Sequence, residues 1–180
     1  MNLLELDKLS KKSVQDLSLS FPSLKMTEHK DGKYRLRRYS LIALEVNIHS
    51  FSILEENTFT QPYEYNKFQG DIEREYENID RDTMCGEGMR EMIYKFRTTN
   101  ELGIGAKVDI HQMRVQIQDD GSAQASPEGV HQDGYDYIAV VGIKRHNING
   151  GELLVYFDKD SDYFSSITLD DGLMVSIKDN

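Results

Sequence analysis

His131 and Asp133 stand one residue apart in Pro127-Glu128-Gly129-Val130-His131-Gln132-Asp133-Gly134, and they are the residues of this chain best suited to chemistry. On an extended segment, side chains two positions apart share a face. An imidazole and a carboxylate aimed into one interior space supply two of the three donors of a 2-His-1-carboxylate facial triad, which leaves positions open on Fe(II). Gly129 and Gly134 let the backbone bend on either side. His-x-Asp alone is weak evidence, because an isolated instance reads equally well as a surface turn. Arg114 adds an anion partner: Gln112, Arg114 and Gln116 share a strand face, and a guanidinium grips a carboxylate with two parallel hydrogen bonds. An exposed arginine on an edge strand fits that position equally well. Arg74 and Arg38 follow the same logic, with ordinary structural roles ahead in both. Tyr65 and Asn66 are placed to close over a substrate, although an aromatic in a loop more often just packs.

The elements that must position these groups follow from pattern. Residues 2–18 suggest an amphipathic helix, ended by Ser20-Phe21-Pro22-Ser23. Residues 34–39 and 41–48 read as two short strands, and 55–82 as loop and irregular strand folded over something. Met89, Met92, Ile93 and Phe96 recur at helical spacing within 87–101. From Lys107 to Gln118 apolar and polar residues alternate as in a strand, closed by the turn Asp119-Asp120-Gly121. Residues 130–144 form the next strand, which carries the His-x-Asp pair. Asn149-Gly150 signals a hairpin into a strand at 152–157, and strands at 167–169 and 173–177 flank Asp170-Asp171-Gly172. The expected fold is mainly β with flanking helices (α+β), its strands rolled into a sandwich or jelly-roll barrel.

Composition excludes several classes. A formal net charge of −10 argues against nucleic acid or an acidic membrane surface as partner. The one basic segment, Lys33-Tyr34-Arg35-Leu36-Arg37-Arg38, reads as a solvated strand or turn before it reads as an anion site. No apolar stretch approaches the length of a membrane span, and the first twenty residues are unlike a secretory signal, so a cytoplasmic location is expected. The lone Cys85 excludes an intrachain disulfide.

Several segments together resemble the bacterial 2-oxoglutarate/Fe(II) dioxygenases that hydroxylate free L-amino acids, typified by isoleucine hydroxylases. His111-Gln112-Met113-Arg114 is similar to their His-Gln-x-Arg strand, and Pro127 to Gly134 to their Pro-Glu-Gly-x-His-x-Asp loop. Arg145 to Glu152, Tyr65-Asn66 with Gly70 and Arg74, and Arg38-Tyr39-Ser40 extend the likeness over roughly 34 to 180. The resemblance implies a double-stranded β-helix (jelly-roll, cupin-like) spanning 1–180, with an N-terminal helical segment at 1–30 and core strands at 104–180. It implies His131 and Asp133 as metal ligands with no further catalytic residue, Arg114 toward 2-oxoglutarate, and Arg74, Tyr65 and Asn66 toward the substrate. The implied reaction hydroxylates a free aliphatic L-amino acid with molecular oxygen, while 2-oxoglutarate becomes succinate. An acid at 133 favours hydroxylation over halogenation, since related halogenases carry a small non-coordinating residue there.

The chain departs from that pattern after the metal pair. A second histidine and a later arginine are expected, yet only His146 follows and no arginine comes after Arg145. The leading expectation is a form lacking the last strands of the family domain. A reduced, non-catalytic cupin-like domain binding a small acid or a metal is the alternative. Completion of the site by His111 or His49 ranks last. An open edge at Leu173–Ile177 would then invite pairing into a homo-oligomer.

Overall fold

Strand β2, Arg35–Leu44, is the axis on which the rest is hung. In the computed structural model, which describes residues 3–117 and 121–179, it is the middle strand of an antiparallel sheet, between β3 (Phe51–Ile53) and β6 (Lys107–Val115). The β2–β6 register runs from Arg35 opposite Val115 to Ala43 opposite Lys107. Directly opposed residues share a face. Arg35, Arg37, Tyr39 and Leu41 therefore project with Asp109, His111 and Met113. Leu36, Arg38, Ser40, Ile42 and Leu44 project the other way with Ile110 and Gln112.

That second face carries the main core. Ile42, Leu44 and Ile110 pack against Leu17 of α1 (Lys11–Ser18), Met84 of α2 (Arg81–Cys85), and Met89 and Ile93 of α3 (Glu87–Thr99). Gly88 lets the helices meet closely, since a Cβ there would lie 2.6 Å from the Ser13 carbonyl oxygen. At the start of α1, the Ser10 hydroxyl accepts from the Ser13 N–H at 3.2 Å. The Ser10 N–H and hydroxyl donate to Glu91 of α3 at 2.9 and 2.7 Å, and the Ser13 hydroxyl donates to the same carboxylate. On the first face of β2, Tyr39 and Leu41 pack with Phe59 and Tyr76, on and beside the two-stranded pair β4 (Thr58–Phe59) and β5 (Arg74–Glu75).

A second sheet places β10 (Leu173–Lys178) between β1 (Leu4–Lys8) and β7 (Tyr137–Val141), both antiparallel to it. The pair β8 (Leu153–Tyr156) and β9 (Tyr163–Ile167) packs over it through Val155, Leu153 and Ile167 against Val175 and Ile177. The described molecule is thus β-rich and antiparallel, with few helices.

Several expectations need correction. Residues 4–8 form a strand rather than the first half of a helix, because Leu4 and Leu6 alternate with acidic neighbours and β10 offers a ladder. The same pairing makes β10 an interior strand, which removes the open edge at 173–177 that suggested an oligomer. The strands read at 34–39 and 41–48 are one strand ending at Leu44. The strand read at 130–144 is regular only from Tyr137 to Val141; positive φ at Gly129 (75°) and Gly134 (84°) breaks the extended backbone around His131 and Asp133. Asn149-Gly150 turns the chain without making a hairpin, since β7 pairs with β10 while β8 pairs with β9. Positions 118–120, the expected end of the sixth strand and most of its turn, lie outside the described residues.

Ile42 is fully buried where sheet and helices meet. Ile42→Ala should cost about 2–5 kcal/mol in denaturant unfolding. A loss below about 1 kcal/mol would show that the two layers do not meet there.

Candidate active site

The first face of β2 and β6 is polar where a sandwich interior would be apolar. Arg35 and Arg74 are 8% and 2% exposed, and the Arg37 side chain is 9% exposed. The basic segment is therefore buried, not solvated: its alternate residues, Arg35 and Arg37, turn inward beside Tyr39. Arg35 is neutralised by Asp31 at 2.9 Å and Glu128 at 3.0 Å, and its Nε lies 3.3 Å from the Met113 sulfur. Among the described residues Arg37 has one distant acid, Asp31 at 4.0 Å; it lies over the Tyr76 ring and its Nη2 is 3.5 Å from the Met113 sulfur. Arg74 has no salt bridge among the described residues. Its guanidinium sits over the Phe59 ring, 4.9 Å from the centroid, with Nε and Nη2 buried and lacking hydrogen-bond partners. An unpaired buried cation costs several kcal/mol to desolvate.

His111, next along this face, touches both rings, Tyr39 at 5.0 Å and Phe59 at 4.6 Å between centroids. Its Nδ1 is buried without a partner. Burial, followed by the field of Arg37, drives its pKa down to about 3, so the imidazole is neutral throughout the physiological range. The Tyr39 hydroxyl donates to Asp109, and the Tyr135 hydroxyl lies within the influence of the same carboxylate. Burial and then that shared carboxylate raise Tyr39, and the same two influences raise Tyr135.

The segment carrying His131 and Asp133 crosses this floor as an irregular loop. The two side chains converge, with His131 Nε2 and Asp133 Oδ1 3.5 Å apart. His131 Nδ1 donates to the Gly129 carbonyl at 2.8 Å, which leaves Nε2 as the nitrogen facing the carboxylate. Gln61 Nε2 donates to both Asp133 Oδ1 (3.0 Å) and the Asp133 carbonyl (3.1 Å). Asp179, just past β10, accepts from the N–H groups of Gly134 and Tyr135. The Tyr65 ring packs on Gly134, where a Cβ would come within 2.8 Å of it. The hydrogen bond to Asp133 raises His131 to about 9 against the opposing effect of burial. Burial pushes the Asp133 carboxyl up, but His131 and Gln61 outweigh it and hold the group below the usual range.

The remaining sequence-predicted residues separate. Asn66 is 2% exposed with its amide committed internally: Oδ1 accepts from the Phe68 and Gln69 N–H groups, and Nδ2 donates to Gln61. Arg114 lies on the opposite face of β6 from His111, exposed and bonded to Gln116 at 3.0 Å, so the structure does not bring it to the pair. Arg38 points into the helical side and pairs with Asp80 and Glu77. His49 stacks on Tyr94 of α3, and His146 is exposed. No group of three or more His, Cys, Asp or Glu among the described residues is arranged to share a metal. Arg35 and Arg37 belong to the basic segment that reads first as solvated and only second as an anion site, their alternation with Tyr34, Leu36 and Arg38 being the signal for an inward face; nothing local marks Gln61.

The chain belongs to the 2OG-Fe dioxygenase family, whose model matches residues 18–180. It is accordingly a non-haem oxygenase that uses Fe(II) as its metal and 2-oxoglutarate as co-substrate. Among solved structures, it is similar to a BsmA homologue from Methylobium petroleophilum, with 23% identity over 93% of this chain and 69% of that one, at a TM-score of 0.79. IDO from Bacillus thuringiensis is similar at 15% identity over 96% of this chain and 76% of its own, at a TM-score of 0.69. Identities this low show a shared fold. No curated protein matches the chain. The donor chemistry fits a divalent cation at the His131–Asp133 pair, since Nδ1 is committed to the Gly129 carbonyl and Nε2 faces a carboxylate oxygen, a nitrogen and an oxygen that a cation would share in place of the proton between them. No described helix is long and apolar enough to cross a membrane.

A raised histidine pKa stabilises the fold fully below its unfolded value of 6.5, and that stability is lost as pH rises through about 9. Metal-free protein held with a chelator should thus lose stability from pH 6.5 to 9, and His131→Gln should flatten that limb. Equal slopes for the two proteins in denaturant titrations would contradict the His131–Asp133 coupling.

Proposed function

We propose that this oxygenase hydroxylates a free aliphatic L-amino acid or a close relative, within a jelly-roll domain. In this reading His131 and Asp133 hold the metal and Arg74 receives the substrate carboxylate. Fe(II) with 2-oxoglutarate and oxygen supplies the oxidation of an unactivated C–H bond, with succinate and carbon dioxide as co-products. The chain's own residues do the positioning. The observation that carries the reading is the Arg74 guanidinium, buried, without a salt bridge among the described residues and with two nitrogens unsatisfied, near His111, whose charge balance Asp133 also influences. A carboxylate would satisfy both nitrogens at once. Phe59 beneath the guanidinium, and His111 kept neutral beyond it, give the rest of the substrate an uncharged wall. Tyr65, lying on Gly134, shields the metal loop on its outer side and is positioned to limit water entry. Arg37 is the second cation that such a carboxylate would meet.

The test is 2-oxoglutarate turnover by iron-loaded protein across the aliphatic amino acids. Succinate formation should depend on one of them. Arg74→Ala should raise the KM for that amino acid by about 10- to 100-fold, the worth of a charged hydrogen bond, and Arg74→Lys should restore only part. Turnover independent of every amino acid, or an unchanged KM in Arg74→Ala, would dismiss this substrate assignment.

A further inference from the structure

We propose that Gln61 is a positioning residue for Asp133, held in its donating orientation by a buried chain of side chains that ends on Glu128, the other flank of the same loop. The inference rests on the reading of His131 and Asp133 as the metal-holding pair. The chain can be followed bond by bond. Glu128 Oε1 accepts from Arg35 Nη1 at 3.0 Å, and the same nitrogen donates to Asp31 Oδ2 at 2.9 Å. Asp31 Oδ1 accepts from Gln69 Nε2 at 3.0 Å. The Gln69 N–H donates to Asn66 Oδ1 at 2.8 Å, Asn66 Nδ2 donates to Gln61 Oε1 at 3.0 Å, and Gln61 Nε2 donates to Asp133. Asp31, Gln61, Asn66 and Gln69 are 2–5% exposed, so water cannot substitute for a missing partner without a cavity.

The direction of this chain is fixed. Two backbone N–H groups, of Phe68 and Gln69, require the oxygen of Asn66 on their side. Its amide nitrogen must then face Gln61, which turns the Gln61 oxygen toward Asn66 and the Gln61 nitrogen toward Asp133. A reversed Gln61 would press a carbonyl oxygen against a carboxylate. Asn66 therefore sets which group meets Asp133 without touching it. The two flanks of the loop, Glu128 and Asp133, are held by one continuous set of bonds, and the carboxylate plane is set before any cation arrives. Partners of this kind, one shell out from a metal, typically carry 10- to 100-fold in metal affinity.

Two substitutions separate this role from plain support of the fold. Gln61→Met keeps the volume and removes the donor. Asn66→Asp keeps both bonds from the backbone N–H groups and removes the donor to Gln61, which is then free to reverse. Mn(II) serves as the air-stable probe, titrated calorimetrically into metal-free full chain, with the melting temperature of each metal-free protein recorded alongside. Each single variant should bind Mn(II) about 10- to 100-fold more weakly than the parent. The double variant should bind no more weakly than Gln61→Met alone, because the Asn66 effect passes through Gln61. Losses that multiply in the double variant, or Gln61→Met binding within about twofold of the parent, overturn the inference. Should Asn66→Asp not fold, the Gln61→Met comparison decides alone. A parent chain that binds no Mn(II), or binds it undiminished in His131→Ala, overturns the metal reading itself and this inference with it, an outcome distinct from the others.

Discussion

The antiparallel ladder between β2 and β6 is the constraint on which the site depends. Its register sets Arg37 beside Met113, Tyr39 beside His111 and Leu41 beside Asp109, so one face of two strands becomes the polar floor. Because side chains alternate, a slip of one residue would send Arg35 and Arg37 into the helical core and Ile42 and Leu44 toward the loop. The apolar demand of one face therefore enforces the polar arrangement of the other. Ile42 and Leu44 are as much a part of site geometry as the residues that line it.

Charge burial is the cost this arrangement carries. Two arginines, Arg35 and Arg37, lie in the floor and a third, Arg74, comes from β5 beside it, with Asp31 and Glu128 committed to the first of them. The desolvation of Arg37 and Arg74 is only partly offset by ring faces and a thioether. Packing of the helices over the far side of β2 and of β8–β9 over the second sheet supplies the compensating burial. In the proposed reading, Arg37 and Arg74 are dry and oriented before an anionic substrate arrives, so less of the binding energy goes into ordering them.

Much of this was legible in the sequence, and the failures have physical causes. The α3 helix and the β6 strand follow from periodicity, and the His131-x-Asp133 pair stands out by residue type. What misled was local pattern read without its tertiary partner. Leu3, Leu4 and Leu9 suit an amphipathic helix equally well until β10 supplies a ladder for residues 4–8. The pair was expected to converge because a strand places alternate residues on one face. It converges instead through a loop with two left-handed glycines, pinned by Gln61 and Asp179, contacts separated by tens of residues in the chain. Arg114 looked suitable because its type and family position fit, but strand alternation puts it opposite His111. Arg35 and Arg37 read as solvated because a run of cations on an acidic chain ordinarily faces water, and nothing local announces that a second layer covers it.

The cap on α1 bears on how the N-terminal segment is held. An eight-residue helix is too short to persist by itself in water, where nucleation outweighs the few bonds gained. Its first-turn hydroxyls and the Ser10 N–H are tied to Glu91, a residue more than seventy positions away on α3. α1 therefore draws its stability from α3, and its first turn is anchored only where the two helices meet. Loss of this cap would therefore loosen a joint between two segments far apart in the chain, not merely fray the end of one helix.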